Sequence, residues 1–160
     1  MSTNSSNLYN YAGTHIPKGA CVVIVQTEWN AEIIQSLNLG CIKILTEKGI
    51  SFKTITVPGA FEIPFAIKKY WEQHKYKDDK PFAFIALGCV IKGDTPHFDY
   101  VCKAVTDGVV QLNLCLPIPT IFGVLTVNNQ QQVQERLGGS HGHKGEEAAI
   151  TAIKMIGLFS

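Results

Sequence analysis

The chain is poor in arginine, in charge and in long apolar runs. Of its 14 basic residues only Arg136 is an arginine, and charged residues make up 17% of the sequence. Acids and bases nearly cancel, leaving a formal net charge of +1. No strong field exists to gather nucleic acid or an anionic membrane surface, so neither is an expected partner. No apolar run approaches the roughly 18 residues that a membrane-crossing helix needs. The opening residues, MSTNSSNLYN, lack the basic and apolar parts of a secretion signal, which makes cytoplasmic the expected location. Neither the phosphate loop GxxxxGK[ST] nor the dinucleotide fingerprint GxGxxG occurs. The five cysteines, at 21, 41, 89, 102 and 115, are odd in number and form no CxxC. They read as reduced, mostly buried thiols. His141 and His143 flank Gly142 with no acid or thiol at ligand spacing, so no metal is expected.

What is present is enough apolar material for one core. The hydrophobic fraction is 46% in 160 residues, which suits a single domain. Residues 1–17 are a Ser/Asn-rich tail, and residues 18–160 form the domain. Apolar, β-branched runs predict strands over Ala20–Val25, Ser51–Val57, Phe82–Leu87 and Thr120–Leu125. Helical spacing of Ile33, Ile34, Leu37, Cys41, Ile44 and Leu45 predicts a helix over Ala31–Lys48, with Asn30 as cap and Gly49 just past its end. Further helices are expected from the Pro58-Gly59 break to His74, from Pro96 to Leu114, over Asn129–Leu137 and over Lys144–Gly157. Lys75–Lys80 and GGSHGH read as loops. Alternating helices and strands apolar on both faces point to an α/β fold, a parallel sheet covered on both sides.

In such sheets ligands bind outside the carboxyl ends of the strands. Four segments lie there: QTEWN, VPGAFE, GCVIKGDTPH and the chain from Thr126. In the third, Gly88 and Gly93 allow tight turning or close approach to a ligand. Asp94 or Thr95 can cap the next helix, with Pro96 at its first position. That helix start suits an anion such as phosphate, and His97 in its first turn can move protons near neutral pH. The same residues also make an ordinary capped loop with an exposed histidine. Asp99 is two residues from His97 and does not face it along a helix. Cys89 is a buried thiol or a nucleophile near His97, the latter implying a thiol hydrolase. Trp29 can stack on a planar ring or merely cover the sheet edge. Glu62 can complement a helix dipole or bind a polyol. Arg136 can fork onto a phosphate or simply be solvated.

The stretches VPGAFEIP (57–64), ALGCVIKGDTPHFDYV (86–101), PTIFGVLT (119–126), QERLGG (134–139) and HKGEEAA (143–149) together resemble the lumazine synthase family. The similarity runs in order from about Ala20 to the end of the chain. It implies a flavodoxin-like three-layer αβα sandwich on a four-stranded parallel sheet. It implies a transferase of riboflavin biosynthesis that uses no cofactor and no metal. The family condenses 5-amino-6-(D-ribitylamino)uracil with 3,4-dihydroxy-2-butanone 4-phosphate, giving 6,7-dimethyl-8-ribityllumazine, phosphate and water. By resemblance, His97 is the proton-transfer residue. Asp94, Thr95, Arg136 and Lys144 hold the phosphate. Trp29 stacks on the pyrimidine, Ala60, Phe61 and Glu62 meet the ribityl chain, and Cys89, Val90 and Ile91 bind the pyrimidine edge. Phe122 matches an aromatic contributed by a neighbouring subunit.

Lys92, Pro96, His141 and Trp29 depart from the residues usual at their positions, and the large Trp29 ring suggests noticeable binding of riboflavin or product. The resemblance also implies a homopentamer, with riboflavin synthase as a companion. In some members twelve pentamers close an icosahedral capsid of sixty subunits, and the short loop LGGSHGH leans towards that shell. The tail is expected to pair with a neighbouring subunit at an exposed sheet edge. The alternative is a non-catalytic flavin-binding or shell protein on the same scaffold.

Overall fold

The computed structural model describes residues 7–160. Strand β1 (Cys21–Thr27) is almost wholly buried, as a β-branched run with no polar alternation requires. It is followed by α1 (Ala31–Glu47), β2 (Ser51–Val57), a short 3-10 turn (Ala60–Glu62), α2 (Ile63–His74) and β3 (Ala83–Ile91). Then come α3 (His97–Cys115), β4 (Thr120–Val127), α4 (Gln130–Gln134), β5 (Leu137–Gly139), β6 (Gly142–His143) and α5 (Lys144–Leu158). The main sheet has four parallel strands in the order β2-β1-β3-β4.

Side chains alternate across the sheet and so divide the interior in two. Val22, Ile24, Ile85 and Leu87 face α1 and α5, where Leu37, Leu45, Ile150 and Ile153 complete one core. Val23, Val25, Phe84 and Ala86 face α2 and α3, where Ile63, Ile67, Val105 and Val109 complete the other. The result is the expected flavodoxin-like three-layer sandwich. Among the described residues no helix is long and apolar enough to cross a membrane.

Several local expectations need revision. β2 is not apolar on both faces; only Val57 is buried, because SFKTITV is the edge strand, where the helical layers half-cover Phe52 and Ile55 and leave the polar positions exposed. β3 runs on through Gly88 to Ile91, so Gly88 lies inside a strand. A Cβ there would sit 3.3 Å from Val124 and 3.6 Å from Ala60, a close packing need and not a turn. Gly49 does end α1 with φ 66°. No side chain caps α3, so neither Asp94 nor Thr95 plays that part; Pro96 has φ −63° and α3 begins at His97. α4 is only five residues long. Past its end Glu135 and Arg136 form a turn, and Leu137 with the segment expected as a loop folds into the β5–β6 hairpin. Cys21, Cys41 and Cys89 are buried free thiols, Cys102 is half-buried and Cys115 is exposed.

The described part of the tail forms no strand. Leu8, Tyr11 and Ile16 pack against the core of the α1–α5 side. Lys154 Nζ donates to the Asn7 carbonyl at 2.8 Å and Lys48 Nζ to the Ala12 carbonyl at 2.7 Å. Residues 1–6 lie outside the described residues.

Candidate active site

Parallel strands deliver their carboxyl ends to one rim, and three of those ends meet at the β1–α1 turn. Glu28 N donates to the Val57 carbonyl at 2.8 Å and Trp29 N to the Pro58 carbonyl at 3.4 Å, joining the turn to the end of β2. Asn30 Nδ2 donates to the Cys89 carbonyl at 2.9 Å, joining it to β3. The Trp29 ring is 73% exposed. Trp29 Cδ1 and Glu62 Oε2 lie 3.9 and 3.1 Å from where a Cβ of Gly59 would stand, so ring and carboxylate border the same backbone. Phe61 is 61% exposed beside them, and Ala60 is buried under Gly88.

Trp29, Ala60, Phe61, Glu62 and Cys89 are thus brought together, with Val90 and Ile91 next along β3. Asp94 and Thr95 follow on the exposed β3–α3 connection, and His97 is the exposed first residue of α3. Lys92 N donates to the Val127 carbonyl at 2.9 Å. By strand alternation the backbone of Cys89 and Ile91 therefore faces the opposite side, under the β1–α1 turn. That edge, an exposed indole and a carboxylate can stack on a flat ring, hydrogen-bond its rim and bind hydroxyls.

Arg136 and Lys144 form a second group at the base of the hairpin. Lys144 N donates to the Arg136 carbonyl at 2.9 Å, which places the two side by side. Each already has a carboxylate: Arg136 Nη1 is 3.7 Å from Glu135 and Lys144 Nζ is 2.7 Å from Glu147. Arg136 Nη1 also donates to the Gln132 carbonyl at 2.9 Å. An incoming phosphate must compete with these acids, and a divalent anion has the charge to do so. Among the described residues no hydrogen bond or ion pair links this group to Asp94, Thr95 or His97. Phe122, 42% exposed halfway along the edge strand β4, pairs in register with Ala86 and stands apart from the strand-end group.

Burial pushes the Cys89 thiol up to about 11. It is therefore protonated at neutral pH and poorly suited to nucleophilic attack. His143 Nδ1 accepts from Glu146 N at 3.3 Å, and His141 Nε2 is 3.9 Å from Glu135. These histidines serve a helix cap and a weak polar contact. Among the described residues no group of three or more His, Cys, Asp or Glu could hold a metal ion.

Sequence reasoning missed two features. It took Asn30 as a helix cap, whereas no side-chain cap bond forms. Its true contact lies 59 residues away and has no local signature. It also passed over Glu147, although the Lys144-to-Glu147 spacing of one helical turn carries that signal.

The family model described as 6,7-dimethyl-8-ribityllumazine synthase matches residues 19–160. A protein of that name from Porphyromonas gingivalis is 46% identical over 163 aligned positions, covering 99% of this chain and 98% of that protein. Another from Parabacteroides distasonis is 44% identical, covering 98% of both. A third, from Flavobacterium psychrophilum, is 47% identical, covering 97% of this chain and 82% of that protein. With the parallel sheet and strand-end residues described above, this chain belongs to the 6,7-dimethyl-8-ribityllumazine synthase family.

Proposed function

We propose that the protein condenses 5-amino-6-(D-ribitylamino)uracil with 3,4-dihydroxy-2-butanone 4-phosphate in riboflavin biosynthesis, without metal or cofactor. The observation that carries this reading is the meeting of three strand ends around the exposed Trp29 ring, in a chain of this family. Trp29 stacks on the pyrimidine, the Cys89–Ile91 edge bonds its rim, and Ala60, Phe61 and Glu62 receive the ribityl chain. Asp94, Thr95, Arg136 and Lys144 hold the butanone phosphate.

The amine of the pyrimidine attacks the ketone carbon, and loss of water leaves an imine. A proton leaves C3 as phosphate departs from C4 with its bonding electrons; the enol so formed tautomerises to a ketone, and the second amine attacks that carbonyl and loses a second water to close the ring. Each step needs proton transfer and fixed geometry. His97, exposed in the first turn of α3, takes and returns those protons.

Phe122 acts in the site of a neighbouring copy, which makes oligomerisation part of the mechanism. A homopentamer, alone or as one of twelve in a closed shell, meets that need. The tail contributes to the contact between copies, riboflavin synthase is a companion, and the protein works in the cytoplasm.

The test is turnover with both substrates in a chelator, followed by lumazine absorbance. Wild-type protein is expected to form product. His97→Ala is expected to lose about 100-fold or more in kcat with fold and assembly intact. Unchanged turnover in His97→Ala removes the acid–base role. No wild-type product, with tight riboflavin binding at Trp29, would favour a flavin-binding protein.

A further inference from the structure

Asn30 occupies the N-cap position of α1 but does not behave as a cap. Its φ is 59°, and it is the one non-glycine residue with positive φ among the described residues. Asparagine tolerates that left-handed conformation better than most residues. An asparagine at this position ordinarily accepts from first-turn amides. Here no such bond forms, and the side chain reaches across to the Cys89 carbonyl at 2.9 Å. Local preference is set aside twice, and both departures serve the same contact.

That contact fills a gap in the sheet. The β1–β3 ladder ends at the pair Gln26↔Leu87, whereas on its other side β3 stays paired with β4 as far as Ile91↔Val127. Between Gly88 and Ile91 the β1 side of β3 is therefore free of backbone pairing. Asn30 supplies a side-chain bond where the ladder stops. The adjoining turn has two longer bonds of its own. Buried Thr27 donates its hydroxyl to the Trp29 carbonyl at 3.2 Å, and Trp29 N bonds the Pro58 carbonyl.

We propose that Asn30 is a positioning residue for the pyrimidine. It locks the Trp29 turn to the Cys89–Ile91 edge, so that one flat ring can be stacked and edge-bonded at once. It also takes one lone pair of the Cys89 carbonyl, which weakens that acceptor and tilts the edge towards ring rims rich in carbonyl oxygens. The inference rests on the proposed condensation, since that reading puts a pyrimidine here.

The test compares Asn30→Gly and Asn30→Asp with wild-type protein. Glycine keeps the left-handed conformation and deletes the donor. Aspartate tolerates it and turns a carboxylate towards a carbonyl. Steady-state kinetics are measured in each substrate, with Trp emission followed as 5-amino-6-(D-ribitylamino)uracil is added. Both variants should raise the pyrimidine KM about tenfold, the equivalent of one lost hydrogen bond, and weaken the quenching alike. The butanone phosphate KM should stay within about twofold. A rise in both KM values together, or in neither, overturns the proposal, since a merely structural role would not separate them. If Asn30→Gly fails to fold, Asn30→Asp decides on the same readouts. Wild-type protein that neither turns over nor binds the pyrimidine overturns the condensation reading and this inference with it. Wild-type turnover with unaffected variants overturns this inference alone.

Discussion

On the α1–α5 side of the sheet, helix meets helix almost backbone to backbone. Gly145 is buried against the Leu37 carbonyl, and Cys41 Sγ donates to the Gly145 carbonyl at 3.0 Å. Lys43 and Glu146 close the rim at 2.9 Å, and Leu8, Tyr11 and Ile16 of the tail pack against the core, although Leu39 and the end of α5 at Leu158 stay exposed. On the α2–α3 side the helices also meet closely, since a Cβ on Gly108 would run into the Pro64 ring, but more apolar surface around that contact is left open. Phe65 is 73% and Leu114 75% exposed, and a cavity of about 300 Å³ opens between Pro64, Phe65, Gly108 and Leu112. One face is largely covered by the chain's own helices and tail, whereas the other carries a more contiguous apolar surface that a monomer seldom leaves in water. The open face also bears Phe61 and the helix that His97 begins. Completion of the site and covering of this face are therefore linked in the proposed assembly.

The sharpest way to break this contrast is to add one methyl group to each side. Gly145→Ala pushes a Cβ into the Leu37 carbonyl, which only a shift of the helix pair can relieve. A loss of about 3 kcal/mol is expected, against less than about 0.5 kcal/mol for the exposed Val110→Leu. Thermal unfolding measures both, and equal losses would mean that the two faces are alike. The next largest effect is on assembly. Phe65→Ser should leave the helical content unchanged while light scattering reports smaller particles, because an apolar contact of about 1–2 kcal/mol is lost in every copy. An unchanged particle mass would place the contacts between copies elsewhere.

How much of this was legible in the sequence depends on the range of the interactions. Apolar runs revealed the four strands, and 3.6-residue spacing revealed α1 with its buried Ile33, Ile34, Leu37, Cys41, Ile44 and Leu45. Both signals are local. The strand-end position of Trp29, Glu62 and Cys89 followed from connectivity alone. The polar edge strand β2 was misjudged because edge or centre is decided by strand order, which no single strand encodes. The β5–β6 hairpin was read as helix and loop because its two- and three-residue strands carry no periodicity. Asn30 was misread for the deepest reason. Its sequence context fits a cap, and only the approach of Cys89 makes a different bond better.

The smallest effect contrasts the two faces through pH. Burial pushes the Cys41 thiol up to about 12, from an ordinary value of 9.0. Folded and unfolded chains both keep that proton below about pH 9, so Cys41 adds no slope there. Between about pH 9 and 12 the unfolded chain releases it first. The unfolded state then binds fewer protons than the native one, and stability falls as pH rises. Cys41→Ala should lower stability by about 1 kcal/mol at pH 7, through lost packing and the lost bond to Gly145. It should nonetheless decline less steeply than wild type above pH 9. Cys115→Ala, at the exposed end of α3, serves as the control and should follow the wild-type curve. Stability against denaturant from pH 7 to 11 separates the cases. If Cys41→Ala runs parallel to wild type, water reaches that thiol and the α1–α5 face is less sealed than its packing indicates.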